Sequence, residues 1–117
     1  MLTNEAIKWL SQIRDSKKNF FLEVAYNAPH FPLQEEKKWK DPCMNSITNS
    51  SRRDFAAATA HLDNSIGILL EKLKQQNLDK NTLIIFISDN GAMENWDSKN
   101  EYTEFILPTM FWAIIHR

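Results

Sequence analysis

The chain has 117 residues, enough for one small domain, and its 14 basic and 15 acidic residues leave a net charge of −1. That balance excludes a basic nucleic-acid footprint and a polybasic membrane patch as sequence signals. The single Cys43 excludes an internal disulfide and a paired-cysteine metal motif, and the amino terminus MLTNEAIKWL lacks the basic and apolar regions of a secretory signal.

The first element is expected to be a helix with Thr3 as its cap, Leu2 and Ile7 as staple residues, and Ala6, Leu10 and Ile13 on its apolar side. Asp15 to Asn19 ends it. Phe20 to Tyr26, reading FFLEVAY, is dominantly apolar with Glu23 as the one polar interruption, the pattern of a strand buried on both faces. NAPHFPLQ follows directly. Pro29 and Pro32 fix their own φ angles and push Ala28 and Phe31 toward extended backbone, so His30 is presented from a stiff loop. A loop histidine of this kind suits either a functional role or simple solvation.

Gln34 to Ser50 reads as loop or short helix, with EEKKWK a solvated charged face and Trp39 an anchor. Asn49-Ser50-Ser51 fits a glycosylation sequon, a pattern that also arises by chance. From Arg52 to Gln76 a long helix is expected, with Ser51 and Asp54 as a capping box and Phe55, Ala58, Leu62, Ile66, Leu69 and Leu73 as its apolar stripe. Gly67 inside it suggests close packing against a strand. His61 and Asp63 read as an exposed or hydrogen-bonded pair.

Leu83 to Ser88 lies within TLIIFISDNG and is almost continuously apolar, again as in a strand covered on both faces of a parallel sheet. It stops at Asp89, Asn90 and Gly91. Oxygen donors at the carboxyl end of such a strand suit a hard divalent cation, whereas Asn90-Gly91 also suits a tight turn. Strand, helix, strand with a right-handed crossover makes the two strands parallel, so His30 and Asp89 should share one rim. The tail EFILPTMFWAIIHR is apolar, contains Pro108, and is too short to span a membrane.

Three segments together, NFFLEVAYNAPHFPLQ, DFAAATAHLDNSIGILLEKL and LDKNTLIIFISDNGA, resemble the sulfatases of the alkaline phosphatase superfamily. The resemblance runs from about Leu2 to about Asn95. It implies an α/β fold, here a fragment of an alkaline-phosphatase-like sandwich with a mostly parallel sheet flanked by helices. Residues 2–95 would be a partial sulfatase domain, and 96–117 a divergent tail. It implies that His30 contacts the sulfate group and that Asp89 and Asn90 are two ligands of a divalent cation, Ca²⁺ or another such as Mg²⁺. Family members hydrolyse sulfate esters with a formylglycine made in a C/S-x-P-x-R motif, and are usually secreted, lysosomal or periplasmic. Their substrates are sulfated small molecules or glycans, with no nucleic-acid or membrane partner implied.

The chain departs from that pattern in three places. Cys43 is followed by Met44, Asn45, Ser46 and Ile47, so no nucleophile motif is present. No Asp-Asp pair occurs to supply the further metal ligands of the family's first strand. His30 and Asp89 are expected roughly 5 to 15 Å apart, depending on whether a strand's width lies between their strands, and a gap of one strand would mark the place of that Asp-Asp strand. Lys99 does not stand in a recognisable counterpart of the family's later lysine stretch. Two readings remain beside that of an inactive piece of a sulfuric ester hydrolase. One is a non-catalytic remnant or binding module, and the other a phosphodiesterase or phosphotransferase of the same superfamily.

Overall fold

The computed structural model describes residues 2–30, 32–88 and 110–116, the last stretch as backbone. Helix α1, Leu2–Lys8, runs directly into a π-helical turn over Trp9–Ile13, which Arg14 ends by turning extended. Thr3 was expected to cap this helix, but it sits inside it and is buried. Its hydroxyl is 2.9 Å from that of Tyr26, a polar pair made in the core instead of at the helix end. Ala6 and Leu10 are buried as their spacing predicts, whereas Ile13 is 61% exposed.

Strand β1, Phe20–Tyr26, leads through a long connection to a short helix α2, Lys37–Lys40, a 3-10 turn over Asp41–Cys43, and the helix α3, Ser50–Gln75. Asn49 is the N-cap, its side chain accepting from the backbone N–H of Arg52 at 3.0 Å. The helix therefore starts two residues earlier than the Ser51–Asp54 box would place it, because an Asn in extended backbone is as good a cap as Ser. Ala58, Leu62, Leu69 and Leu73 of the expected stripe are buried, joined by Ala57, and Ile66 packs against the same core.

Gly67 does not make the close strand contact expected of it. It is exposed, and a Cβ built on it meets nothing within 4 Å, because it lies off the buried stripe. Asn77 leaves the helix with φ 56°, and Leu78 folds back into the core before a 3-10 turn at Asp79–Asn81 opens strand β2, Thr82–Ser88.

The sheet corrects the predicted topology. β1 and β2 do run in the same direction, as the crossover argument requires, with one strand's width between them. Strand β3, Met110–His116, lies between them and is antiparallel to both, in the order β1-β3-β2. Both ladders among the described residues are thus antiparallel, against the mostly parallel sheet expected. The one-strand gap between β1 and β2, which would have marked the place of an Asp-Asp strand, is filled by MFWAIIH from the tail, a β-branched and aromatic run well suited to a central strand.

Only one face of this sheet is covered by described residues. In β1, Val24 and Tyr26 are buried while Phe21, Glu23 and Ala25 are exposed. The clean alternation is that of a half-covered strand, and Glu23 falls on the open side. α1 and α3 close the inner face through Ala6, Leu10, Leu62, Leu69 and Leu73 against Val24 and Tyr26, with Leu22 and Ile84 packed at the margin. No helix among the described residues is long and apolar enough to cross a membrane.

Candidate active site

The register of the sheet sets the rim. Phe20 and Thr82 both pair with His116, and at the other end Tyr26 and Ser88 both pair with Met110. The carboxyl ends of β1 and β2 are therefore level, separated by the width of one strand, or about 10 Å at ~4.8 Å per strand spacing. Chain leaving β1 after Tyr26 and chain leaving β2 after Ser88 start from one side of the sheet.

Beyond Tyr26 the backbone turns at once. The N–H of His30 donates to the carbonyl of Asn27 at 2.8 Å, the Ala28–Pro29 peptide is cis, and Pro29 is fully buried. The buried proline anchors the turn next to His30, which is itself exposed. The position expected from the sequence, just past the end of the first strand, is the position observed. Phe31 is outside the described residues.

The far end of this loop is tied to α3. Oε2 of Glu35 lies 2.8 Å from Nδ1 of His61 in a hydrogen bond, and the His61 ring stacks on Trp39 with centroids 4.7 Å apart and planes 12° from parallel. Lys40 adds an ion pair to Asp54 at 2.9 Å. Beside them Lys38 donates to Glu36 and holds that carboxyl below its ordinary pKa, on the surface. The sequence suggested His61 with Asp63, yet residues two apart on a helix point to different sides. Its real partner is 26 residues away, and no spacing rule could have found it.

Asp89, Asn90 and Gly91 fall outside the described residues, as does Lys99. The expectation that His30 and Asp89 share one rim falls on Asp89 and so lies outside them too. Cys43 closes the 3-10 turn after α2 as a partly exposed free thiol. Among the described residues no three His, Cys, Asp or Glu side chains come together to hold a metal. The two expected donors, the Asp89 carboxylate and the Asn90 amide, are hard oxygen donors of the kind that suits Ca²⁺ or Mg²⁺, and would be two of the roughly six to eight ligands Ca²⁺ takes. An open groove of about 630 Å³ lies elsewhere, lined by α1 and α3 residues including Ile7, Asp63, Gly67, Ile68 and Glu71, and none of its lining residues is a predicted site residue.

Comparison with known proteins bears on the same segments. The Sulfatase family model matches residues 1–106. An endo-4-O-sulfatase of Bacteroides thetaiotaomicron is 37% identical over 99 aligned residues, covering 68% of this chain and 19% of that protein. An arylsulfatase of Klebsiella aerogenes is 42% identical over 64 residues, covering 55% of this chain and 14% of that protein. Arylsulfatase J of Mus musculus is 34% identical over 108 residues, 86% of this chain and 18% of the mouse protein. Among solved structures, the crystal structure of Ps i-CgsB in complex with k-i-k-neocarrahexaose matches with a TM-score of 0.69 at 28% identity, covering 98% of this chain and 27% of that one. The chain thus spans under a fifth of the length of these curated relatives.

Proposed function

The chain belongs to the sulfatase family, and on that premise we propose that it is the part of a sulfuric ester hydrolase that carries the sulfate-contacting histidine and part of the divalent-cation site, and is inactive by itself. The observation that supports this reading is the common row of Tyr26 and Ser88, which sets the ends of the strands that precede His30 and Asp89 in sequence level at one side of the sheet. His30 would donate a hydrogen bond to a sulfate oxygen. Asp89 and Asn90 would supply oxygen ligands to Ca²⁺ or another divalent cation such as Mg²⁺, whose charge stabilises the developing negative charge on the ester when bound. The substrate class is a sulfated small molecule or glycan. The carrahexaose in the Ps i-CgsB complex is an oligosaccharide, which supports the glycan end of that range.

A second reading, a non-catalytic remnant or binding module, is favoured by one observation: the sole cysteine, Cys43, lacks the nucleophile motif. Calcium titration separates the two. A weak Ca²⁺ affinity, on the order of millimolar as in the least charged oxygen sites, that is lost in Asp89→Ala and raises the affinity of His30 for sulfate by NMR, is the expected result. Ca²⁺ binding unaffected by Asp89→Ala, or sulfate binding unaffected by His30→Ala, would leave the remnant reading.

A further inference from the structure

The turn that carries His30 is held on its near side by the core. Pro29 is fully buried and the N–H of His30 donates to the carbonyl of Asn27, which fixes the backbone as far as His30. On the far side, residues 32–36 belong to no helix or strand, and Pro32, Gln34 and Glu36 are exposed. Glu36 pairs with Lys38 close by in the chain, a tie that stays within its own segment. Glu35 is different. Its side chain is only 12% exposed, and its Oε2 meets Nδ1 of His61 on α3 at 2.8 Å.

A carboxylate drawn this far from water needs a partner, and His61 is the one the fold supplies. The His61 ring is in turn held by its stack on Trp39, so the group that meets Glu35 has a fixed orientation. The Lys40–Asp54 ion pair ties α2 to α3 farther along the chain, and so holds that helix and not the end of the loop.

We propose that His61 is a positioning residue for His30: by bonding Glu35 from α3 it closes the far end of the loop and keeps the His30 imidazole in the pose that meets a sulfate oxygen. The proposal rests on the reading of His30 as the sulfate contact. Chain from His30 to Glu35 spans at most about 17 Å when fully extended. With Pro29 buried at one end and Glu35 bonded at the other, that stretch has few poses open to it; with Glu35 released, it has many. The apparent affinity for sulfate then falls by the fraction of time the loop spends in the competent pose, and a functional side chain is only as well placed as the residues that support it.

The test follows the His30 imidazole signals of the full chain by NMR as sodium sulfate replaces sodium chloride at constant ionic strength, with His30→Ala identifying those signals. In the parent chain sulfate should shift them. His61→Ala should weaken sulfate at least about fivefold, and His61→Asn, whose side-chain amide brings a donor close to the place of Nδ1, should recover most of the loss. Glu35→Leu keeps an apolar side chain in the same space without an acceptor, and should weaken sulfate as His61→Ala does even where the latter misfolds. Glu35→Gln is equally uncharged but keeps an acceptor, so it should bind sulfate more tightly than Glu35→Leu. Lys40→Ala, which frees α2 alone, should bind like the parent. Parent-like affinity in His61→Ala and Glu35→Leu overturns the positioning role and leaves His30 as the sulfate contact. A loss that His61→Asn does not recover, or an equal loss in Lys40→Ala, also overturns it, because general loosening would then be the cause. No response of His30 to sulfate in the parent removes the sulfate reading and this proposal together.

Discussion

Tyr26 and Ser88, 62 positions apart in sequence, stand in the same row of the sheet, on either side of Met110. Tyr26 is also the residue whose hydroxyl meets Thr3 of α1 in the core, so the end of β1 is fixed both by its ladder and by a buried polar contact. The loop that carries His30 starts from this fixed point.

Thr3 and Tyr26 satisfy each other where water is excluded, and losing one partner leaves the other buried and unpaired. Tyr26→Phe is expected to destabilise the chain by about 1–3 kcal/mol, whereas Tyr26→Phe with Thr3→Val should recover much of the loss. Urea titration of the two variants measures this. Equal destabilisation by the single and double changes would mean the contact carries no coupling.

Asn49 caps the long helix by accepting from Arg52. Asn49→Ala should cost about 1 kcal/mol and Asn49→Asp close to nothing, since Asp caps as well as Asn. Thermal unfolding of the pair decides the matter. A loss in Asn49→Asp as large as in Asn49→Ala would point to some other role for the amide.

The two faces of the fold should respond differently to truncation. Leu73 is 1% exposed at the centre of the core, so Leu73→Ala is expected to cost about 2–5 kcal/mol. Leu83 is 60% exposed on the outer sheet face, and Leu83→Ala in the isolated chain should change stability by no more than about 0.5 kcal/mol. A large loss at Leu83 would show that the chain covers its own outer face in solution.

His61 clamps the segment that follows the His30 loop through Glu35 and Trp39. His61→Ala should speed trypsin cleavage at Lys37, Lys38 and Lys40 by several-fold, because cleavage follows the population of the opened segment. Unchanged cleavage would leave Lys40–Asp54 as the tether that matters.

The purified chain should show no turnover of a chromogenic aryl sulfate, since Cys43 has no motif for conversion to formylglycine. Turnover that disappears in Asp89→Ala would overturn the inactive-fragment reading.

Local features of this protein were legible from residue order. The apolar runs ending at Tyr26 and Ser88 are strands, the stripe through Leu62, Leu69 and Leu73 is the buried side of a helix, and the strand–helix–strand order makes β1 and β2 run the same way. Short-range sterics and periodicity decide such features, and both are written in neighbouring residues. What tertiary structure alone decided depends on contacts between distant residues. Apolar runs do not reveal which strand becomes their neighbour, so the insertion of Met110–His116 between β1 and β2 was invisible, as was the antiparallel sense of both ladders. A continuous apolar run also does not say which face is covered first, and here α1 and α3 cover one side only. Gly67 and His61 show the same limit from the side of the helix: a glycine can allow close approach, and a histidine can pair, but the partner that arrives is chosen by the packing of the whole chain.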